Sequence, residues 1–479
     1  MISASTANRE FHVPDVVTKQ LKLNSVSDGR RRVRISSNFI DLMGFRPGER
    51  IEAIPSIAGG FDIRPSASGS TKVHQRRYAR GRSNNPLESL VEFGSSALLN
   101  STFPPGTERF HVTIRQREMR IRPVPNRVFN IARRFRGRDP YRALVAMTGG
   151  VDLHCLNNAG FKSEVVLEYR PQEARDVATG RSLEEVHALN TLRNSNTVKL
   201  LVNEDIYQVN PERLKALCDQ GEPIALGHFC ISCDDFSTAK SQSLRARSVE
   251  NGTTGVDMIY PVLRIVETME YPVVMFENVR GFANHDAGII LKSMLRRMGY
   301  QTHEMTLCAR DYGGIQNRNR YYLVATIFPG YEPPQPQPRK TDSIWPLVEK
   351  HLSDCRDVTD RKYIKDRANS GRQSAAITRT SSYSPTIVKS QSRGIKDGVY
   401  IEDGGKVYAP SEGLIKELMS IPEDFDTSWM AQEQSIETLG QSIDYRMHHA
   451  VVESVRKHIE ANLGSGPILR HKHHQASLL

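Results

Sequence analysis

The stretch HFCISCDDFSTAK carries two cysteines three apart, Cys230 and Cys233, in a chain that has only six. That spacing allows a redox or metal-binding Cys-x-x-Cys, a pair of packed thiols, or a single thiolate that attacks a substrate. A zinc site needs a second Cys or His pair at ligand spacing. The terminal RHKHHQ offers histidines but no partner Cys-x-x-Cys exists, so no metal is expected. Further along, Glu277-Asn278-Val279 closes one apolar run, and QNRNR sets Gln316, Arg318 and Arg320 just before another. A thiolate adds to electron-poor carbons, a carboxylic acid can protonate a ring nitrogen, and arginines hold phosphate or a carbonyl. For Glu277 and Arg320 the plain alternative is a salt bridge supporting the strand ends.

A second group of residues suits a nucleotide. In MTGGVD, residues Thr148, Gly149 and Gly150 open a helix, where glycine lets the backbone approach a ligand closely. Glu168, followed by Tyr169, ends the next apolar run, a place suited to ribose hydroxyls. Glu204-Asp205-Ile206 ends the third and places an acid to accept from an adenine amino group. Together these read as a site for an adenosine-containing cofactor.

The elements that must position both groups are apolar runs: ALVAM, EVVLEY, KLLVNEDI, PIAL, PVVMFENV and RYYLVATIF. Amphipathic stretches such as VDMIYPVLRIVETME and AGIILKSMLRRMG lie between them. Continuous apolar strands alternating with helices predict an α/β fold with a parallel sheet covered on both faces. Such sheets bind ligands at the carboxyl ends of their strands.

In this order the motifs are similar to those of the DNA cytosine 5-methyltransferases, which use S-adenosylmethionine. VAMTGGVDLHCLNNAGF, LEYRP and EDI resemble their first three motifs, and SCDDFS the nucleophile motif Pro-Cys-Gln-x-Phe-Ser. FENVRGF, QNRNR, SYSPTIVKS and LGQSIDYRMHHAVVESV resemble the later ones, so the likeness runs from about 141 to 462. It implies a doubly wound Rossmann-like methyltransferase sheet, with Cys233 as nucleophile and Cys230 as a core thiol. It assigns Glu277 to protonate ring nitrogen 3 of cytosine and Asn278 to brace the Glu277 loop. Arg318 and Arg320 would help hold the cytosine, and Ser237 and Gln316 would contact the nucleic acid. Carbon 5 of cytosine is too poor a nucleophile to accept a methyl group directly. Thiolate addition at carbon 6 makes it enamine-like, and in a duplex the base must first be flipped out.

Four positions depart from the pattern. Ser232 replaces a proline whose fixed φ stiffens the loop. Asp234 replaces glutamine and should raise the pKa of the thiol. Val145 stands where an aromatic would stack on adenine, and GQSIDYRM replaces a Gly-Asn-x-Val ending.

The chain has 479 residues, enough for two or three domains, and a net charge of +11. Residues 1–140 hold 25 Lys/Arg against 12 Asp/Glu, while the remaining 339 hold 40 against 42. Arg76, Arg77, Arg133 and Arg134 lie in the densest basic clusters and are candidate contacts to a polyphosphate backbone. A shift of 58 positions aligns residues 33–65 with 91–123 without a gap. Val33 meets Val91, Phe45 meets Phe103, Pro47-Gly48 meets Pro105-Gly106, and Ile63-Arg64-Pro65 meets Ile121-Arg122-Pro123. One copy is too small to bury a core, so the two should close on each other. Each copy resembles the AbrB-type swapped-hairpin β-barrel, whose relatives often bind DNA.

The expected organisation is an arm (1–30), the mostly-β duplicated module (31–125), a basic linker (126–140) and a catalytic domain (141–326). A small target-recognition region (327–433), a C-terminal helix (434–462) and a flexible tail (463–479) follow. No apolar run approaches the roughly 20 residues of a membrane span, and no signal pattern opens the chain. A cytoplasmic, prokaryotic setting is expected, at the nucleoid when bound to DNA. Double-stranded DNA is the expected partner, with a cognate restriction endonuclease a candidate second one. An RNA (transfer RNA) cytosine methyltransferase and a catalytically silent DNA-binding regulator are the alternatives.

Overall fold

The first strands of the two sequence repeats, Arg31–Ser36 and Leu87–Phe93, pair antiparallel with Val33 opposite Phe93 and Ile35 opposite Val91. Since Val91 and Phe93 are the second copies of Val33 and Ile35, each copy presents the same face to the other. The last strands, Phe61–Pro65 and Glu118–Val124, repeat this symmetry, with Ile63 opposite Met119 and Phe61 opposite Ile121. The two copies therefore meet as the two halves of a symmetric dimer would, within one chain. Their apolar residues merge into one core containing Val33, Ile35, Phe45, Phe61, Ile63, Val91, Phe103, Phe110 and Ile121. In both copies the Pro-Gly turn puts glycine at positive φ (Gly48 at 87°, Gly106 at 78°), a conformation costly for other residues.

This computed structural model describes residues 13–25, 30–77, 87–135, 137–218, 222–236, 242–252, 254–369, 376–395 and 398–464. The chain divides into Met1–Asn130 and Ile131–Leu479. The segment expected as an arm supplies a strand, Val17–Lys22, which pairs with Arg109–Arg115 at the edge of a six-stranded sheet. Its alternating burial fits such an edge. The segment expected as a basic linker contains a helix, Arg127–Arg134, whose Ile131 is buried. The tail beyond residue 464 lies outside the described residues.

The second unit holds a seven-stranded sheet of β1 (Arg142–Ala146), β2 (Lys162–Leu167), β3 (Leu200–Val202), β4 (Leu226–Cys230), β5 (Val273–Asn278), β6 (Gln301–Cys308) and β7 (Asn319–Thr326). Its order is β3-β2-β1-β4-β5-β7-β6. The first five strands are parallel, while β7 runs antiparallel to β5 and β6. The doubly wound α/β fold read from the sequence is therefore present, with one reversed strand. Order reverses between β1 and β4, which makes their carboxyl ends the switch point where such sheets bind ligands.

Helices α1 (Val151–Asn158), α2 (Val186–Arg193), α3 (Ile259–Met269) and α4 (Asp286–Arg297) follow strands of this sheet. The closing segment is two helices, α5 (Gln432–Gln441) and α6 (Tyr445–Leu463), separated by Ser442–Asp444. The α6 stripe Met447, Val451, Val455 and Ile459 is buried in the sheet core with Val145, Val166 and Met275. Residues 327–433 do not stand apart. Their Trp345, Ile387, Leu414 and Phe425 share a core with Val151 and Cys155 of α1 and with Leu439 of α5. Among the described residues no helix is long and apolar enough to cross a membrane.

Candidate active site

β4 ends at Cys230, and the chain turns at once through Ser232 and Cys233, with Phe236 N donating to Cys233 O at 3.1 Å. Three side chains fix that turn. Asn278 at the end of β5 donates from Nδ2 to Ile231 O (2.8 Å), so it braces the nucleophile loop, while its own Oδ1 accepts from Val279 N. Asp235, 4% exposed, accepts at Oδ2 from Thr254 Oγ1 (2.9 Å) and Gly255 N (2.8 Å). Phe236 packs edge-on against Phe282. A Cβ on Gly281 would lie 2.3 Å from Phe236 O, so only glycine lets that segment come so near. The proline missing at 232 is thus offset by hydrogen bonds from both sides of the loop.

Glu277 lies opposite Cys230 in the β4–β5 register, one strand across from the thiol loop. Its Oε1 is 2.9 Å from Arg320 Nε, both side chains being nearly buried. Burial raises the carboxyl pKa, aided by the nearby Asp152 charge, and outweighs the lowering by Arg320 and Arg318. Glu277 is thus an ion-pair partner of Arg320 whose carboxyl pKa lies above the ordinary carboxylate value. The Cys233 thiol is also pushed up, chiefly by burial and then by Asp234 and Glu277, against Arg320 and Arg318. The sequence reading named Asp234; burial is the larger cause.

Arg318 lies in the same neighbourhood but points elsewhere. It is fully buried. Its guanidinium donates to the carbonyls of Ile387 (2.8 Å), Gly440 (3.2 Å) and Ser442. It fastens the Pro-Thr-Ile loop and the α5–α6 junction to the sheet through both Nη atoms, while Nε is buried with no partner among the described residues. That loop is zipped further by Ser384 N to Ile315 O, Asn317 N to Ser384 O, and Thr386 Oγ1 to Asn317 O. Gln316 between them is buried, and neither of its side-chain polar atoms has a partner among the described residues.

Around β1 the second group assembles. Met147, Gly149 and Gly150 all have positive φ (62°, 69° and 105°), which folds the chain sharply into α1. Glu168, 1% exposed at the end of β2, accepts at Oε1 from Thr148 N (2.6 Å), Thr148 Oγ1 (2.9 Å) and Gly149 N (3.0 Å). Its Oε2 is buried with no partner. Burial pushes this carboxyl up to about 7 in spite of those bonds. Asn190 of α2, which no sequence signal marked, donates to Gly149 O at 2.7 Å and holds the turn from behind. Tyr169 is half-buried, Ile206 is buried, and Asp205 accepts from Tyr207 N at 3.1 Å. Val145 is a fully buried core residue of β1.

The candidate nucleic-acid contacts are scattered. Ser237 lies outside the described residues. Arg76 pairs with Glu88 at 3.0 Å, and Arg77 is exposed on the same strand. Arg133 is exposed, while Arg134 donates to the carbonyls of Met269 (2.9 Å) and Glu270 (3.0 Å), a structural tie.

A parallel sheet with a Gly-rich turn and a ribose-suited acid at its switch point, and a thiol one strand away, defines an α/β domain of the nucleotide-binding methyltransferase kind. Residues 144–457 match the family model described as C-5 cytosine-specific DNA methylase, about two thirds of the chain, and the chain belongs to that family. Among curated relatives, the type II methyltransferase M.MspI of Moraxella sp. is 28% identical over 227 residues, 44% of this chain and 52% of that protein. M.SsoII of Shigella sonnei, also a type II methyltransferase, is 25% identical over 231 residues, 43% and 58% of the two chains. The chain thus spans little more than half the length of the curated relatives it matches. Among solved structures, the Entamoeba histolytica methyltransferase EhMeth superposes with a TM-score of 0.52 at 12% identity, covering 68% of this chain and 99% of that one. The N-terminal unit lies outside the family match.

Proposed function

We propose that the protein is a DNA cytosine 5-methyltransferase that works through a transient covalent bond from Cys233. The observation that carries this reading is the meeting of Cys233, Glu277 and Arg320 at the ends of β4, β5 and β7, next to a cradle with one unsatisfied buried carboxylate oxygen. That oxygen, Glu168 Oε2, suits a ribose hydroxyl donor, and the Thr148–Gly150 turn leaves room for close backbone approach. Thr148, Gly149, Gly150, Glu168, Tyr169, Asp205 and Ile206 would hold S-adenosylmethionine. When bound, that group supplies an electrophilic methyl on a sulfonium sulfur.

The chain's own residues do the rest. Cys233 thiolate adds to carbon 6 of a flipped-out cytosine, and the raised pKa of Glu277 lets it supply a proton at ring nitrogen 3. Negative charge leaves the ring and carbon 5 becomes electron-rich. Loss of the carbon 5 proton after alkylation then expels the thiolate. Arg320 orients Glu277 and lies beside the thiol. Arg318 acts as a positioning residue, since its guanidinium holds backbone rather than base. Gln316, with both amide atoms free inside the fold, suits contacts to the displaced strand or the orphan base. Basic residues of the N-terminal unit and of the helix Arg127–Arg134 contribute phosphate contacts, with the exposed Arg77 and Arg133 better placed than Arg76 and Arg134. A partner restriction endonuclease rests on the type II names of the relatives alone.

The test is methyl transfer from labelled S-adenosylmethionine to duplex DNA and, separately, to transfer RNA, with Cys233→Ser as control. DNA labelling that vanishes in the variant supports the proposal. Labelling of RNA alone would replace the substrate, and none on either would favour a silent DNA-binding regulator.

A further inference from the structure

Three side chains that the proposed reaction does not use meet inside the sheet domain. Asp152 on the first turn of α1, His228 in β4 and His448 in α6 are 1%, 0% and 0% exposed. One ligand atom from each lies within 4.8 Å of the others. Asp152 Oδ1 is 3.0 Å from His228 Nε2 and 3.7 Å from His448 Nε2. Cys230 Sγ stands beside them, 3.3 Å from Asp152 Oδ1 and 3.5 Å from His228 Nε2.

The orientation of the rings is informative. His228 Nδ1 is 3.3 Å from Met275 O, and His448 Nδ1 is 3.1 Å from Tyr322 Oη. Histidines that bind metals hold one ring nitrogen on a carbonyl or hydroxyl in this way and direct the other at the ion. A carbonyl can only accept, so His228 carries its proton on Nδ1. In the neutral ring that turns the Nε2 lone pair toward a carboxylate, which is another acceptor. Two acceptors at this separation need a proton or a cation between them. His448 Nε2 is fully buried and has no hydrogen-bond partner among the described residues. Among the described residues, the two imidazoles are the only basic groups within ion-pair distance of Asp152. A carboxylate so deeply buried is expensive unless paired or bound to a metal.

We propose that Asp152, His228 and His448 form a buried transition-metal site, with the Cys230 thiolate closing a four-coordinate shell. Two imidazoles, one carboxylate and one thiolate suit zinc; calcium and magnesium would demand oxygen ligands. Binding is balanced by proton release: Cys230 S–H gives its proton to solvent as the sulfur–metal bond forms. Any proton shared between His228 and Asp152 leaves as well. A divalent ion with one carboxylate and one thiolate is locally neutral. The ion would tie α1, β4 and α6 together directly behind the Cys233 loop, so its role is structural. The ligands come from three distant elements, which is why no second Cys or His pair stood at ligand spacing from Cys230 in the sequence.

The experiment uses the full chain, expressed without an affinity tag and purified without chelator. Elemental analysis should give about one zinc per chain, as closed structural sites do. Replacing His471, His473 and His474 of the tail should leave that value unchanged. Cobalt(II) added to stripped protein should show tetrahedral d–d bands with a thiolate charge-transfer band, and Cys230→Ala should lose the latter. His448→Gln and Asp152→Asn should lose the metal at least tenfold while keeping the native circular dichroism. Absence of bound zinc together with absence of a cobalt spectrum in folded wild-type protein would overturn the proposal. Metal that survives both ligand substitutions, or departs with the tail histidines, would overturn it too. The cobalt titration of the wild-type chain does not depend on any variant folding.

Discussion

The arginine pairs described in the N-terminal unit sit nearer solvent, while the methylase unit places arginine pairs in its interior as well as on its surface, where Arg193–Asp426 and Arg379–Asp403 lie. In the first, Arg32–Glu92, Arg64–Glu118, Arg76–Glu88 and Arg117–Glu49 pair with the guanidinium at least a third exposed. In the second, Arg320–Glu277, Arg170–Asp176 and Arg142–Glu164 pair in the interior. Exposed pairs are screened by water and salt and contribute about 0–1 kcal/mol, whereas breaking a buried pair leaves a stranded charge costing about 3–5 kcal/mol. A surface arginine can therefore exchange its carboxylate for a phosphate at little cost to the fold. An interior arginine cannot, and serves instead to fix geometry. The buried pairs give the second unit the character of a rigid frame, and on the proposed reading the exposed arginines of the first can meet phosphate.

The sharpest way to probe the frame is at its reacting atom. Cys233→Ser should reduce methyl transfer by at least about a thousandfold, because a hydroxyl of far higher pKa replaces the nucleophile. It should also abolish covalent capture of 5-fluorocytosine in DNA, read as loss of a denaturant-stable protein–DNA band. Next comes the fastener. Arg318→Leu strands three buried carbonyls and should destabilise the methylase unit by about 3–5 kcal/mol, measured by urea unfolding. If Arg318 held only the base, stability would be unchanged and the Michaelis constant for DNA would rise instead.

A smaller effect comes from the cofactor cradle. The folded-state pKa of Glu168, at about 7, lies above that of an ordinary carboxyl. The unfolded chain therefore ionises first, and this group lowers stability as pH rises from the usual carboxylate range through 7. Cofactor binding has the opposite sign, since ribose hydroxyls donate to the ionised form. Affinity for S-adenosylmethionine should rise about tenfold per pH unit below 7 and level off above it, with Glu168→Gln flattening the profile in calorimetric titrations. Asp234→Gln removes a charge that raises the pKa of the thiol. It should speed single-turnover methylation near neutral pH about two- to tenfold.

Much of the frame was legible in the sequence because buried parallel strands must be continuously apolar. RALVA, KSEVVL and VVMFEN declare themselves that way, and the Met447/Val451/Val455/Ile459 stripe declares α6. Strand β6 was not visible, since QTHEMTLC lies at the sheet edge and keeps polar side chains half in solvent. The duplication showed the two-fold pairing in advance, because equal apolar positions must meet equal ones. The strand within the arm and the helix within the linker carry weak signals: VTKQLK alternates as an edge strand does, and RVFNIARR is amphipathic, but both are short and charged. At the site, residue types pointed to the strand ends where Cys233, Glu277 and Arg320 lie, while the direction of a long side chain did not follow from its motif. Arg318 shows this most clearly. Asn190 and Asp235 had no signal at all, since a buried polar residue becomes informative only when its partners are known.

The smallest expected effect tests the other side of the comparison. Arg32 reaches diagonally to Glu92 across the paired first strands of the two repeats, with Arg32 39% and Glu92 23% exposed. Arg32→Gln keeps a hydrogen-bond donor and most of the aliphatic stem, so it should cost less than about 1 kcal/mol of stability in urea unfolding. The same change removes a positive charge that phosphate could recruit. Duplex DNA affinity should therefore fall modestly, and the slope of log affinity against log salt should become shallower by about 0.9 if Arg32 contacts one phosphate. A loss of several kcal/mol in stability would mean that the repeat interface relies on this pair as the methylase interior relies on its own, and the contrast between the two units would fail.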